Sequence, residues 1–202
     1  MTHRFSVTFD YLCPFARNAH EHVLAGLRAG APWEVGFVPY SLAQGHVEEG
    51  ATAVWDLEAP LASSGILALA AGIAVRDLLP ERFPQAHAAL FAARHDRGED
   101  IKDPQVVRSA LDRAGLDGGD VLRTVEEQNV LSQLRKEHEA SVHEHEVWGV
   151  PTFIGTDRAA FVRLLDRPTD DPQLSIDAIE QVIGLLEMQT NLHEFKQTDL
   201  PV

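Results

Sequence analysis

Hydrophobic and polar residues alternate with period two at the start of the chain and then follow a helical period. Residues Phe5 to Phe9 alternate in this way and contain β-favouring residues, which predicts a strand ending near Asp10. From Pro14 to Ala29 the apolar positions lie on one helical stripe, and Gly30 follows as a stop signal. Residues 33–38 predict a second strand. The order is a βαβ unit with parallel strands.

The middle of the chain has a helical pattern and no strand pattern. Helix-breaking residues and caps divide it into segments, and the last cap, Asp120, opens a long amphipathic stretch that reaches residues 138–144. The other predicted helices begin at Ser63 or Ser64, Glu81 and Pro104, and end near Leu79, Arg97 and Ala114. We therefore predict an all-α insertion over residues 51–146 with about four helices.

Strand signals return after the insertion. Val147 and residues 152–154 are apolar and β-favouring, and a turn at 155–157 leads to a second run at 159–165, which predicts an antiparallel hairpin. Residues 175–186 predict a final amphipathic helix. The fold class is α/β, with segments 1–50 and 147–202 forming one domain around the helical insertion.

Composition and charge exclude several classes of protein. The chain has 202 residues, a formal net charge of -14 and a pI near 5.0. This charge argues against binding to nucleic acids or anionic membranes, because both require clustered Lys and Arg. The longest apolar run, residues 66–75, is half the roughly 20 residues that a membrane span needs. The first residues carry no apolar segment of the signal-peptide type, so we expect a cytoplasmic protein without nucleic-acid or membrane partners.

Cys13 is the one cysteine of the chain, so no internal disulfide can form. It lies at the start of the first predicted helix, where Pro14 suits the first turn and unpaired backbone N–H groups favour a thiolate. Arg17, one helical turn further on, is a candidate for additional positive charge, and His20 lies about 10 Å along the axis, beyond contact. The sequence thus favours a nucleophilic Cys13 with a lowered pKa, and a small buried core residue is the alternative.

A second motif, Val150-Pro151-Thr152, opens the third predicted strand. Together with Cys13-Pro14 and the order βαβ, helices, ββα, it resembles a thioredoxin fold with a helical insertion, as in the DsbA family. The resemblance implies a cis-proline at Pro151 that faces the thiol, with Val150 and Thr152 helping to bind a thiol or peptide. It extends over nearly the whole chain.

The segment FDYLCPFA resembles the active-site segment of actinobacterial DsbA-family proteins, including mycothiol-linked reductases, and FVPYSLA resembles the segment after their second strand. Their motif is commonly Cys-Pro-Trp-Cys, whereas here Phe15 replaces Trp and Ala16 replaces the second cysteine. Because position 16 carries no thiol, the chain cannot release a mixed disulfide at Cys13 by an internal reaction. The resemblance therefore implies a thiol–disulfide oxidoreductase with one nucleophile, no tightly bound cofactor, and mycothiol, glutathione or a protein thiol as co-substrate.

Two other functions remain open. The 2-hydroxychromene-2-carboxylate isomerases belong to the same superfamily and also lack the cysteine pair, so a thiol-dependent isomerase or transferase is one alternative. A redox-inactive binding or chaperone-like protein is the other.

Further candidates lie outside the two motifs. In DsbA-like folds a groove between the inserted helices and the thioredoxin layer holds substrate, which makes Tyr11 and Trp55 candidate lining residues. The polar tail with Asn191, His193 and Phe195 is a candidate cover for the same groove.

No metal site is predicted, because the spacing of the histidines matches no zinc ligand pattern. These histidines are His20, His22, His138, His143 and His145, of which the last two could approach Cys13.

Overall fold

A computed structural model describes residues 2–188. The strands are β1 (His3–Phe9), β2 (Trp33–Pro39), β3 (Thr152–Ile154) and β4 (Ala159–Phe161). The α-helices are α1 (Pro14–Arg28), α2 (Leu42–Gly45), α3 (Ile66–Leu78), α4 (Phe83–His95), α5 (Pro104–Arg113), α6 (Gly118–Glu127), α7 (Val130–His145) and α8 (Pro172–Met188). Short 3-10 turns occupy Val54–Asp56, Pro60–Ala62 and Pro80–Arg82.

The sheet has the strand order β2-β1-β3-β4. β1 and β2 are parallel over seven residue pairs, and β3 is antiparallel to both β1 and β4. This confirms the predicted α/β class, the parallel first pair and the antiparallel hairpin. It places the start of α1 and the segment before β3 beside each other, because β1 and β3 are neighbouring strands that run in opposite directions.

Two sequence predictions are wrong in detail. The long helix predicted after Asp120 is two helices: α6 begins at Gly118 under an Asp117 cap, and Asn129 separates it from α7. Asn129 has a left-handed φ of 51°, a conformation that asparagine tolerates better than most residues. Because the helix breaks there, the insertion has five helices, α3 to α7, rather than the four that were predicted. The strand predicted for 159–165 ends at Phe161, because its partner β3 begins at Thr152 and offers no further strand residues to pair with.

Two hydrophobic clusters flank the sheet. The larger one joins β1 and the start of α1 to the inserted helices, through residues such as Phe9, Ile66 and Phe91. The smaller one lies between β1, α1 and α8. The insertion therefore shares its core with the sheet layer. The proposed boundaries at residues 50 and 146 remain a prediction.

A chain of buried hydrogen bonds crosses the larger cluster. His20 Nε2 lies 3.1 Å from the Thr8 carbonyl oxygen, His87 Nε2 lies 2.9 Å from His20 Nδ1, and Tyr11 Oη lies 2.8 Å from His87 Nδ1. The Thr8 oxygen can only accept, so His20 donates to it, His87 donates to His20, and Tyr11 donates to His87. All three side chains are fully buried, and burial lowers the pKa of His20 to about 4. Both histidines are neutral links in this chain.

Gly72 on α3 leaves the space that the Tyr11 hydroxyl occupies. A Cβ at Gly72 would lie 2.4 Å from Tyr11 Oη, whereas a Cβ at Gly184 on α8 would meet nothing within 4 Å. We expect Gly72→Ala to lower the free energy of unfolding by about 2 kcal/mol, since steric displacement of Tyr11 outweighs the better helix propensity of alanine. Gly184→Ala is the matched control and should raise it by about 0.5–1 kcal/mol. Urea unfolding measures both, and equal effects would contradict the steric argument.

Candidate active site at Cys13

Cys13 is the N-cap of α1. Its backbone is extended, with φ -93° and ψ 118°, and its Sγ accepts a hydrogen bond from the Ala16 N–H at 3.4 Å. Pro14 occupies the first helical position, as its missing N–H and fixed φ favour. The cysteine side chain is buried, with 8% of its surface exposed. The cap position therefore places the sulfur at the helix start, in a largely buried residue.

The segment before β3 forms the opposite wall of the site. The Val150–Pro151 peptide bond is cis, and Cys13 Sγ lies 3.3 Å from the Val150 carbonyl oxygen, to which the thiol donates. The Thr152 N–H donates to Thr8 Oγ1 at 2.8 Å, and Thr152 Oγ1 donates to the Gly149 carbonyl oxygen at 2.8 Å. The first of these bonds holds the segment against β1, and the second lies within the segment. The structure thus brings Cys13 together with Val150, Pro151 and Thr152 across 137 residues of sequence.

The expected lowering of the Cys13 pKa is wrong. Burial raises the pKa of the thiol, and the N–H groups of Ala16 and Phe15 oppose this effect without overcoming it. The charge of Asp10 raises the pKa further, whereas that of Arg163 lowers it. The sequence pattern placed the sulfur at the helix start but gave no measure of its burial. The favoured form of Cys13 is the thiol that donates to Val150.

Asp10 is a buried carboxyl group, although the sequence pattern marks it only as the end of a strand. It is fully buried and accepts hydrogen bonds from the Leu12 N–H at 2.9 Å and the Leu42 N–H at 2.8 Å. Burial raises its pKa to about 6. The available signal was its position directly after a buried strand and three residues before the cysteine. Asp10 ties the Cys13 segment to the chain that follows β2.

Two candidate site residues have other contacts. Arg17 pairs with Glu21, at 3.0 Å, and with Asp96, so its guanidinium is engaged by two carboxylates. Tyr11 has no exposed surface, and its hydroxyl is bonded to His87. The assignment of Tyr11 to a substrate groove is therefore corrected, because a fully enclosed side chain cannot line a surface groove.

Pro14 and Phe15 remain at the surface beside the thiol. Pro14 is exposed and Phe15 is partly exposed. The guanidinium carbon of Arg163 lies 5.3 Å from the centre of the Phe15 ring. Arg163 follows β4, 150 positions from Cys13 in the sequence, and only the hairpin geometry brings it here. No local motif could have revealed it.

Trp55 is buried and packs on His138, with ring centres 5.4 Å apart. Both line a cavity of about 240 Å³ together with Gln44, Val142 and His143. A larger cavity of about 560 Å³ lies between the β2 edge and α3, α4 and α7, beside Arg76 and Glu137. Cys13 lines neither cavity. Cys13 and Trp55 belong to the same hydrophobic cluster, and the role of Trp55 in substrate binding stays a prediction.

The histidines have separate environments. His22 lies against Ser175 and Asp166, and His138 Nδ1 accepts from the Ser41 N–H at 3.1 Å. Burial lowers the pKa of His138 to about 4. His143 and His145 are exposed, and neither is a hydrogen-bond partner of Cys13.

Two further findings concern residues 2–188 alone. No group of three or more His, Cys, Asp or Glu side chains there is arranged to hold a metal ion. None of the helices in that range has the length and apolar character needed to cross a membrane. The predicted cover of Asn191, His193 and Phe195 lies outside the described residues.

A family model, the DSBA-like thioredoxin domain, matches residues 6–166. The chain belongs to this DsbA-like family. No curated protein sequence matches the DsbA-like chain significantly.

Solved structures of the same fold are similar to this DsbA-like chain. BdbD from Bacillus subtilis has a TM-score of 0.60 at 14% identity, covering 89% of this chain and 84% of that one. DsbA from Xylella fastidiosa has a TM-score of 0.56 at 16% identity, with coverages of 90% and 84%. A thioredoxin-like oxidoreductase from Silicibacter pomeroyi has a TM-score of 0.56 at 19% identity, with coverages of 88% and 86%. These similarities confirm the thioredoxin-like fold.

Proposed function

We propose that this chain is a single-cysteine thiol–disulfide oxidoreductase that works with an external thiol. The contact that supports this most directly is the 3.3 Å approach of Cys13 Sγ to the Val150 carbonyl beside Pro151. A sulfur bound to Cys13 would lie along this segment, whose backbone groups could hold an extended substrate. The proposal includes a cytoplasmic location, where a chain with one thiol remains reduced.

The reaction is an exchange of sulfur partners. Cys13 loses its proton to solvent, and its thiolate attacks one sulfur of a disulfide RSSR. The S–S bond breaks, Cys13–S–S–R forms, and the other half leaves as a thiolate that takes up a proton. An external thiol R′SH then attacks the R sulfur as a thiolate, which gives RSSR′ and restores Cys13. Ala16 makes this second step external, because the chain holds no other cysteine.

Intact-mass measurement tests the proposal. The protein is incubated with glutathione disulfide or mycothiol disulfide at several pH values and then with the matching thiol. We expect one adduct on the native chain and none on Cys13→Ser, with removal by the thiol. Because burial raises the Cys13 pKa, the rate of adduct formation should increase with pH through neutrality. Cys13→Ser is a close match in size, so a loss of reaction would report the sulfur itself.

An absence of adduct with every disulfide, across the pH range, would refute the oxidoreductase proposal. It would leave two interpretations, a thiol-dependent isomerase or transferase and a redox-inactive binding or chaperone-like protein. In the second of these, Cys13→Ser should leave the function unchanged.

A thiol-dependent isomerase or transferase is the second candidate. The buried Cys13 thiol donates to Val150, and its raised pKa favours the neutral donor over the nucleophile. In this function Cys13 would orient a bound external thiol, which would carry the reaction. Activity would then require added thiol without consuming reductant, and Cys13→Ser, which keeps a donor, would retain much of it. The oxidoreductase predicts complete loss in that variant.

A further inference from the structure

Four side chains form a continuous row at the surface beside the thiol. In order they are Trp148, Phe161, Arg163 and Phe15, and we call them the Trp148–Phe15 row. The ring centres of Trp148 and Phe161 are 4.5 Å apart. The guanidinium carbon of Arg163 lies 5.8 Å from the Phe161 ring centre and 5.3 Å from that of Phe15. Arg163 is therefore held between two aromatic rings, a favourable arrangement for a cation.

Backbone contacts fix the row to both walls of the site. The Val162 N–H donates to the Pro151 carbonyl oxygen at 3.1 Å, so the residue before Arg163 is bonded to the cis-proline. Phe15 is the second residue of α1, directly after Cys13-Pro14. Gly149 lies under the other end, where a Cβ would be 3.3 Å from the Phe161 ring. The row thus borders Cys13 from the helix start to the segment before β3.

The row is open to solvent. Trp148 has 70% of its surface exposed, and Arg163 is also exposed. An exposed tryptophan buries little apolar surface in the folded core. Its ring, stacked on a second ring, is available to pack against a ligand. The apolar and charged groups of the row are both available at the edge of the thiol site.

Arg163 carries a positive charge that the described part of the chain does not neutralise. It takes part in none of the ion pairs among residues 2–188, whereas Arg17, Arg76 and Arg167 each have a carboxylate partner. This occurs in a chain with a formal net charge of -14. Its charge also acts on the thiol, because it lowers the Cys13 pKa against the opposing effect of burial. The cation is therefore close enough to Cys13 to act on its charge and, by the same field, on a charged group bound there.

We propose that Arg163 is a specificity-determining residue that selects a small disulfide carrying carboxylate groups. The inference rests on the proposed exchange reaction at Cys13. The half of the disulfide that stays on Cys13 places one carboxylate on the Arg163 guanidinium, while the rest of it packs on Phe161 and Trp148. Glutathione carries carboxylates, whereas mycothiol carries none. Arg163 therefore favours the glutathione type of thiol.

The test compares three disulfides of different charge on the native chain and on arginine variants. Glutathione disulfide is anionic, 2-hydroxyethyl disulfide is neutral and cystamine is cationic. The rate constant for the Cys13 adduct is measured for each by intact mass, and each rate is divided by that of the neutral disulfide. The division removes any change in thiolate fraction, because a change in the Cys13 pKa affects all three probes alike.

We expect Arg163→Gln to lower the anionic-to-neutral ratio about tenfold at low salt and to raise the cationic-to-neutral ratio. Arg163→Lys should retain part of the preference, since the charge stays and the planar stacking is lost. Arg28→Gln is the matched control, because Arg28 is an exposed arginine at the far end of α1 and its loss changes the net charge equally. Its ratios should equal those of the native chain, and high salt should reduce the native preference.

Unchanged ratios in Arg163→Gln, or an equal loss in Arg28→Gln, would overturn the assignment of Arg163 while leaving the exchange reaction intact. Failure of all three disulfides to react with native Cys13 is a different result. It would overturn the proposed function, and the role of Arg163 with it.

Discussion

Replacing His87 with leucine is expected to lower the free energy of unfolding by about 4 kcal/mol. His87 is the middle link between Tyr11 Oη and His20 Nδ1, at 2.8 and 2.9 Å, and it is fully buried. Leucine removes both bonds and leaves one donor and one acceptor unpaired in an apolar core. Each unpaired buried group costs about 1–3 kcal/mol. Urea unfolding followed by circular dichroism measures the loss.

A double-mutant cycle separates the hydrogen bond from general damage to the core. Tyr11→Phe removes the hydroxyl that His87→Leu leaves unpaired, so the double variant should lose less stability than the sum of the single variants, by at least about 1 kcal/mol. His145→Leu is a surface control and should change stability by less than about 0.5 kcal/mol, since His145 is exposed. Strict additivity of Tyr11→Phe and His87→Leu would show that the chain is not energetically coupled.

The second large effect is a pair of opposite pH dependences at Asp10 and His20. The pKa of Asp10 is raised from 3.8 to about 6, so its stabilising contribution is complete below pH 3.8 and is lost as the pH rises through 6. The pKa of His20 is lowered from 6.5 to about 4, so its contribution is complete above pH 6.5 and is lost as the pH falls through 4. Each shift corresponds to about 3 kcal/mol. Between pH 4 and 6 the two contributions oppose each other.

Single variants should reveal the two slopes. At pH 5 Asp10→Asn should make the free energy of unfolding rise more steeply with pH than in the native chain, by about 1.4 kcal/mol per pH unit. His20→Leu should change the slope by the same amount in the opposite direction. Comparing slopes rather than stabilities removes the constant cost of each substitution. Identical slopes in all three proteins, measured by urea unfolding from pH 4 to 7, would contradict the assignment of these buried groups.

The sequence was sufficient for the parts of the fold that depend on local pattern. The alternation in β1, the stripe of α1 and the cap-and-proline start of α5 are short-range signals, and the structure has these elements close to the expected residues. The break at Asn129 was missed because the apolar period continues through it, and the left-handed turn depends on one residue. Local pattern also could not set the end of β4, which depends on where its partner strand begins.

In the candidate site, too, residues in short sequence motifs can be predicted, whereas those that depend on long-range contacts cannot. Cys13 and Pro151 were found because each lies in a short motif, and their pairing follows from the strand order. The expected lowering of the Cys13 pKa is wrong because the burial of the thiol depends on how the inserted helices pack over the helix start, which no local motif shows. Arg163 and Asp10 acquire their roles through long-range contacts: one is brought to Phe15 by the hairpin, and the other is enclosed between two backbone N–H groups.

The core that β1 shares with the inserted helices limits how this protein can admit a substrate. Phe9 and Tyr11 pack in the same cluster as Ile66, Phe83 and Phe91, with the polar chain through His87 at its centre. Separating the two layers as a hinge would expose these rings to water and break the chain of neutral donors. Closure of the helices over a ligand is therefore an unfavourable way to gain selectivity. If the proposed exchange reaction takes place at Cys13, we expect discrimination between substrates to come from the side chains at the edge of the thiol site, without movement of the two layers.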